Sequence, residues 1–148
     1  MQTSVSELTE LVDATVASTI ARHVAARPDC PAIVTSRNVV TYSALGEQVA
    51  TFGAGLRNND LTCSARVAIT LPDGPELAVS IVAVACHAAA VPLNPRLTES
   101  ELDDLFAMLC IDAVVVSDRI DRPVREIATR HGARLLDCLL YTSDAADE

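Results

Sequence analysis

Arg66-Val67-Ala68-Ile69-Thr70-Leu71-Pro72-Asp73-Gly74-Pro75-Glu76 decides the fold. After Arg66 the five residues Val67 to Leu71 are β-branched or apolar on both sides of a pleat, the composition of a strand buried on both faces. Pro72-Asp73-Gly74-Pro75 then reads as a turn, and Glu76 to about His87 continues as an apolar helix with proline in its first turn. Strand, turn and helix in that order are the opening half of a βαβ unit, and Ala90-Val91-Pro92-Leu93 supplies the second strand.

The same alternation extends towards the C-terminus. Thr98 with Glu101 three residues on is a capping box, and Leu102, Leu105, Phe106 and Leu109 line one face of the helix it starts. Ala113-Val114-Val115-Val116 is a wholly apolar strand, Arg122 to His131 is a helix ended by Gly132, and Ala133-Arg134-Leu135-Leu136 is a last strand. Towards the N-terminus, Leu8, Leu11, Val12, Val16, Ile20 and Val24 fall on one helical face that Pro28 ends. Pro31–Thr35 and Val39–Tyr42 flank Ser36-Arg37-Asn38 as a short hairpin. Ser43 is placed to cap a helix whose inner side carries Leu45, Val49, Phe52 and Leu56, with Asn58-Asn59-Asp60 as its stop. The pattern predicts an α/β fold, a mostly parallel sheet with helices on both faces.

Composition narrows the chemistry. The chain has 148 residues, half of them hydrophobic, enough for one domain with a core of its own. Its formal charge is −9, and all eleven basic residues are arginine. Without a basic stripe it has no footprint for nucleic acid or anionic lipid, and without lysine it has no candidate for a Schiff base or a phosphate-loop lysine. The first twenty residues lack a basic start and an apolar run, so no secretory signal is read and a reducing cytoplasm is expected. Leu77–Leu93, the most apolar stretch, falls short of the ~20 residues of a membrane span. Cysteines 30, 63, 86, 110 and 138 form no Cys-x-x-Cys pair, which predicts no metal site and five buried free thiols.

Few residues suggest chemistry by themselves. Gly53-Ala54-Gly55 lies late in a helical pattern and reads as small residues for close helix packing rather than as a dinucleotide loop. His87 reads as a packed or hydrogen-bonded histidine, and His23 and His131 as histidines suited to helix C-termini. Asp73 reads as a turn former whose side chain bonds its own backbone. No catalytic residue and no metal ligand is assigned.

In order and spacing, however, three segments resemble successive landmarks of the adenylate-forming enzymes, the AMP-dependent synthetases and ligases: Val39-Val-Thr-Tyr-Ser-Ala-Leu45, Arg66–Glu76, and Ala88-Ala-Ala-Val-Pro-Leu-Asn-Pro95. Ala25–Val34 is similar to the family's usual entry segment. The resemblance covers about residues 6 to 137. It implies part of the N-terminal subdomain of an acid–CoA ligase, which activates a carboxylic acid with ATP and Mg and passes the acyl group to CoA. The family's phosphate loop, adenine and hinge motifs and catalytic lysine would lie beyond Asp137, so the 148-residue chain is expected to be inactive, to bind none of these cofactors and to self-associate. Arg96 falls where some acyl- and aryl-CoA ligases carry an arginine for CoA phosphates, and it is the one cofactor-binding residue the resemblance assigns. His87 stands where most members have glycine. Pro-Leu-Asn-Pro leans towards a stand-alone CoA ligase over a peptide-synthetase adenylation domain, the nearest alternative. A small non-catalytic α/β binding module is a third.

The last eleven residues, Cys138–Glu148, fit none of these patterns. They can be back-translated to a reading frame of a common transposase sequencing adapter, so residues 1–137 are expected to be the natural domain part and 138–148 a non-native tail. Tyr141-Thr142-Ser143 mimics the start of a phosphate loop, but Asp144 and Asp147 would repel a triphosphate.

Overall fold

The computed structural model describes residues 15–117 and 122–138. Its elements are α1 (Val16–Ala26), β1 (Pro31–Val34), β2 (Val39–Thr41), α2 (Tyr42–Asn58), β3 (Arg66–Ile69), α3 (Pro75–Ala85), β4 (Ala89–Pro92), α4 (Glu99–Leu109), β5 (Ala113–Val116), α5 (Arg122–His131) and β6 (Arg134–Asp137). Leu8, Leu11 and Val12 of the expected first helix lie outside the described residues, and so do Tyr141–Ser143 and the rest of 139–148. Cys138 is described: it is buried, and its amide donates to the Val116 carbonyl.

β3 to β6 form one parallel sheet in the order β4-β3-β5-β6, while β1 and β2 pair antiparallel in a separate hairpin. β3 and β5 are the inner strands. Val67, Ala68, Ile69 and all four residues of β5 are fully buried, as a strand covered on both faces requires. Alternation sorts them into two cores. Val67, Ile69, Ala113 and Val115 pack with Phe52 and Leu56 of α2 and Ala83 and Val84 of α3. Ala68, Val114 and Val116 pack with Leu102 and Phe106 of α4 and Ile127 and Ala128 of α5. The expectation of strands apolar on both faces holds for these two strands; β4 and β6 are edges and keep exposed residues at Ala89, Pro92, Arg134 and Asp137. A third core joins Val40, Leu45 and Val79 to Ile20 and Ile33, and so ties α1 and the hairpin to α2 and α3.

The connectivity explains the two layers. From β3 the chain passes through α3 to β4 on one side, then through α4 back past β3 to β5, and on through α5 to β6. Crossovers in opposite directions, kept to one hand, place their helices on opposite faces.

Local chemistry sets the ends. Thr98 and Glu101 form the expected capping box of α4. Gly132 takes a φ of +70° after α5, a backbone geometry that favours glycine. The cap of α2 is Thr41 rather than Ser43. The Tyr42 and Ser43 amides donate to the Cys30 and Pro28 carbonyls, so the loop after α1 satisfies donors that would otherwise need a later cap.

Cys30, Cys63 and Cys110 are exposed, contrary to the expectation of five buried thiols; all three lie outside the sheet and the helix cores. Burial raises the thiol pKa of Cys86 and of Cys138. Gly53 is the close-packing residue of its pair. A Cβ there would lie 2.6 Å from His87 Cε1 and Nε2, whereas one on Gly55 would meet nothing within 4 Å. His87 is hydrogen-bonded as expected, Nε2 lying 2.9 Å from the Val49 carbonyl of α2.

α4 and α5 are joined on their outer side. Asp103 Oδ1 accepts from Arg130 Nη1 at 2.7 Å and lies 3.0 Å from His131 Nε2. Thus His131 has a carboxylate partner beyond its place at the helix C-terminus, while His23 packs against Tyr42 with ring centroids 4.9 Å apart. The His131 hydrogen bond, followed by the Arg130 contact, holds the Asp103 carboxyl below its ordinary range.

Two measurements follow from these contacts. Gly53→Ala should destabilise the chain by about 1–3 kcal/mol in chemical denaturation, because the imidazole must leave its bond to Val49; His87→Gly in that background should recover most of the loss. A carboxyl with a depressed folded pKa contributes stability above its unfolded value and loses it as pH falls through the folded one. The stability advantage of the native chain over Asp103→Asn should therefore be present at neutral pH and be lost as pH falls below the ordinary carboxylate range, read by urea titrations at neutral and acid pH.

Candidate functional site

Ligands of open parallel sheets gather at the carboxyl ends of the strands, where the winding direction reverses. Here that point lies between β3 and β5. Beside it is a cavity of about 130 Å³, walled by Thr70 after β3, Asn94, Pro95 and Leu97 after β4, Glu99 and Leu102 of α4 and Pro123 and Val124 of α5. Glu99 is the charged residue of this wall. Thr70 is 5% exposed, and its Oγ1 has no hydrogen-bond partner among the described residues. A larger cleft of about 240 Å³ lies between α2 and β6, lined by Thr51, Phe52, Gly55, Asn59 and Leu135 to Asp137. It opens along an edge strand rather than at the strand ends, and carries no cationic side chain.

Arg96 is exposed and stands in the chain between Pro95 and Leu97, two residues of the first cavity's wall, without itself lining that cavity. Its guanidinium has no carboxylate partner among the described residues. The turn that carries it is closed twice. The Leu97 amide donates to the Asn94 carbonyl at 3.2 Å, and the Arg96 amide donates to Asn94 Oδ1 at 2.9 Å. On one side the Leu93 amide extends the β3 ladder to the Ile69 carbonyl; on the other, Thr98 caps α4. The Glu101 carboxylate accepts from the Thr98 amide and hydroxyl, both at 2.8 Å, and these bonds, the backbone one foremost, lower its pKa.

The remaining sequence candidates lie elsewhere. Asp73 is exposed, and its carboxylate makes no hydrogen bond to the backbone of its own turn, which the two flanking prolines shape instead. His87 is held between α2 and the turn after α3, away from Arg96. Among the described residues no group of three or more His, Cys, Asp or Glu is arranged to hold a metal ion, and no helix is long and apolar enough to cross a membrane. Thr70 and the Asn94 turn escaped the sequence reading. Asn-Pro after a strand is a turn signal that could have located the second.

An open parallel sheet with helices on both faces defines an α/β domain of the doubly wound class. The chain belongs to the AMP-binding enzymes, whose family model matches residues 20–147. A search of curated proteins finds no match. Among solved structures the chain is similar to a benzoate CoA ligase from Burkholderia xenovorans LB400, at 21% identity and a TM-score of 0.70 over 84% of this chain and 26% of that one. It is also similar to a protein described as a long-chain-fatty-acid CoA ligase from Rhodopseudomonas palustris CGA009, at 23% identity and a TM-score of 0.74, covering 93% and 35%. A third is NpsA-ThdA, an artificially fused adenylation–PCP di-domain from Klebsiella oxytoca, at 25% identity and a TM-score of 0.62, covering 68% and 19%. The chain thus spans between 19% and 35% of the length of these structures. The fold is that of the N-terminal part of adenylate-forming ligases, as the resemblance implied.

The orphaned hydroxyl generates a direct test. Thr70→Val keeps the shape and removes a buried polar atom without a partner, so the variant should unfold at higher denaturant, by about 1 kcal/mol in two-state analysis.

Proposed function

We propose that this chain is the N-terminal part of an acid–CoA ligase that activates a carboxylic acid with ATP and Mg to an acyl-adenylate and transfers the acyl group to CoA. The observation that carries the CoA half is the exposed, unpaired Arg96 guanidinium on a doubly closed turn at the carboxyl-end cleft. A guanidinium fork matches phosphate oxygens, and CoA presents phosphates on its nucleotide end. Family membership supports the ATP half; the cleft carries the Thr70 hydroxyl and the Glu99 carboxylate, with no histidine or cysteine among its lining residues. The adenylation chemistry is assigned to parent sequence beyond this chain, and the 148-residue chain is proposed to be inactive, cytoplasmic and prone to self-association. Residues 138–148 are proposed to be non-native, a point that sequencing the uninterrupted locus decides.

A second reading, a peptide-synthetase adenylation domain, has the match to the NpsA-ThdA di-domain in its favour. The two differ in the thiol acceptor.

Acid-dependent exchange of labelled pyrophosphate into ATP should be undetectable with the purified 148-residue chain and present in the full-length enzyme; exchange by the short chain would overturn the assignment of the chemistry. In the full-length enzyme Arg96→Ala should raise the KM for CoA roughly tenfold or more, the range of a lost charged hydrogen bond, with pyrophosphate exchange unchanged. An unchanged KM, or acyl transfer only to a carrier-protein thiol, would favour the second reading.

A further inference from the structure

Arg96 belongs to no helix or strand, and an exposed loop arginine ordinarily loses much rotational and backbone freedom when it binds an anion. Asn94 removes part of that cost in advance. Its Oδ1 accepts the Arg96 amide and its own carbonyl accepts the Leu97 amide, so one residue closes both rings of the turn. Pro95 between them has a fixed φ and no N–H to compete for the Asn94 oxygen. The ends of the turn are equally restrained, by the Leu93 bond to β3 and by the Thr98–Glu101 box. Arg96 therefore leaves a backbone whose direction is set by its neighbours.

We infer that Asn94 is a positioning residue for the CoA-phosphate contact of Arg96. This rests on the reading of Arg96 given above. Asn94 acts through its side-chain oxygen and through Arg96, without touching the phosphate. Because only an acceptor at Oδ1 is needed, aspartate would serve equally, so Asn or Asp at this position leaves the mount of Arg96 unchanged.

The experiment has two arms. In the 148-residue chain, amide hydrogen exchange at Arg96 should quicken in Asn94→Ala and stay slow in Asn94→Asp; equal rates in all three forms would overturn the turn's role at its structural base. In the full-length ligase, Asn94→Ala should raise the KM for CoA roughly two- to tenfold, the worth of one neutral hydrogen bond, with kcat and pyrophosphate exchange unchanged. Asn94→Asp is read by amide exchange alone, because its carboxylate would itself repel the phosphates. Combined with Arg96→Ala, Asn94→Ala should add nothing further. If Arg96→Ala raises KM and Asn94→Ala does not, the inference about Asn94 fails while the reading of Arg96 stands. If Arg96→Ala leaves KM unchanged, the reading of Arg96 itself falls, and the positioning role with it.

Discussion

The burial of β3 and β5 on both faces is the constraint from which the other elements take their places. Two adjacent parallel strands whose side chains, Arg66 at the start of β3 apart, are all apolar and buried have no face to give to water, so helices must cover both sides. Each fully buried Val or Ile of these strands contributes about 1.5–3 kcal/mol relative to exposure, while the peptide groups between them are satisfied by the ladder. Their odd and even residues recruit different helices, α2 and α3 against Val67, Ile69, Ala113 and Val115, α4 and α5 against Ala68, Val114 and Val116. Covering both faces from one chain requires the winding to reverse, and that reversal opens the cleft where Arg96 stands.

The division of labour within the domain follows from this. The core half of each crossover is rigid hydrocarbon, and the carboxyl ends are short loops tied down by local polar bonds. Arg66 fastens the opposite end of the sheet, its amide donating to Asp112 Oδ2 at 2.7 Å and its guanidinium to the Leu109 carbonyl at 3.1 Å. Arginines thus serve two purposes here, closing the amino ends of the strands and offering charge at the carboxyl ends.

What could be read in advance was whatever is periodic or local. Ala113–Val116 announces a buried strand by composition, and Thr98 with Glu101 announces a helix start by chemistry confined to four residues. What could not be read depends on partners distant in sequence. Ser43 and Thr41 are both competent caps, and the choice is made by the Cys30 and Pro28 carbonyls arriving from the preceding loop. The exposure of Cys30, Cys63 and Cys110 has no periodic signature. The Asp103 and His131 contact joins residues 28 positions apart on separate helices. The missing partner of Thr70 Oγ1 is a property of the assembled cavity, which no local pattern encodes. Arg96 was singled out only through resemblance, since a lone arginine after a turn carries no local pattern of its own.

The contact between His87 and Gly53 also constrains substitution. An imidazole at 87 occupies the volume that any Cβ at 53 would need, so the two positions are not free to vary independently. Histidine at 87 fits without penalty only beside glycine at 53, and a larger residue at 53 fits only beside a smaller one at 87. The two positions are therefore coupled by direct contact between side chain and backbone, independently of the cleft at the strand ends.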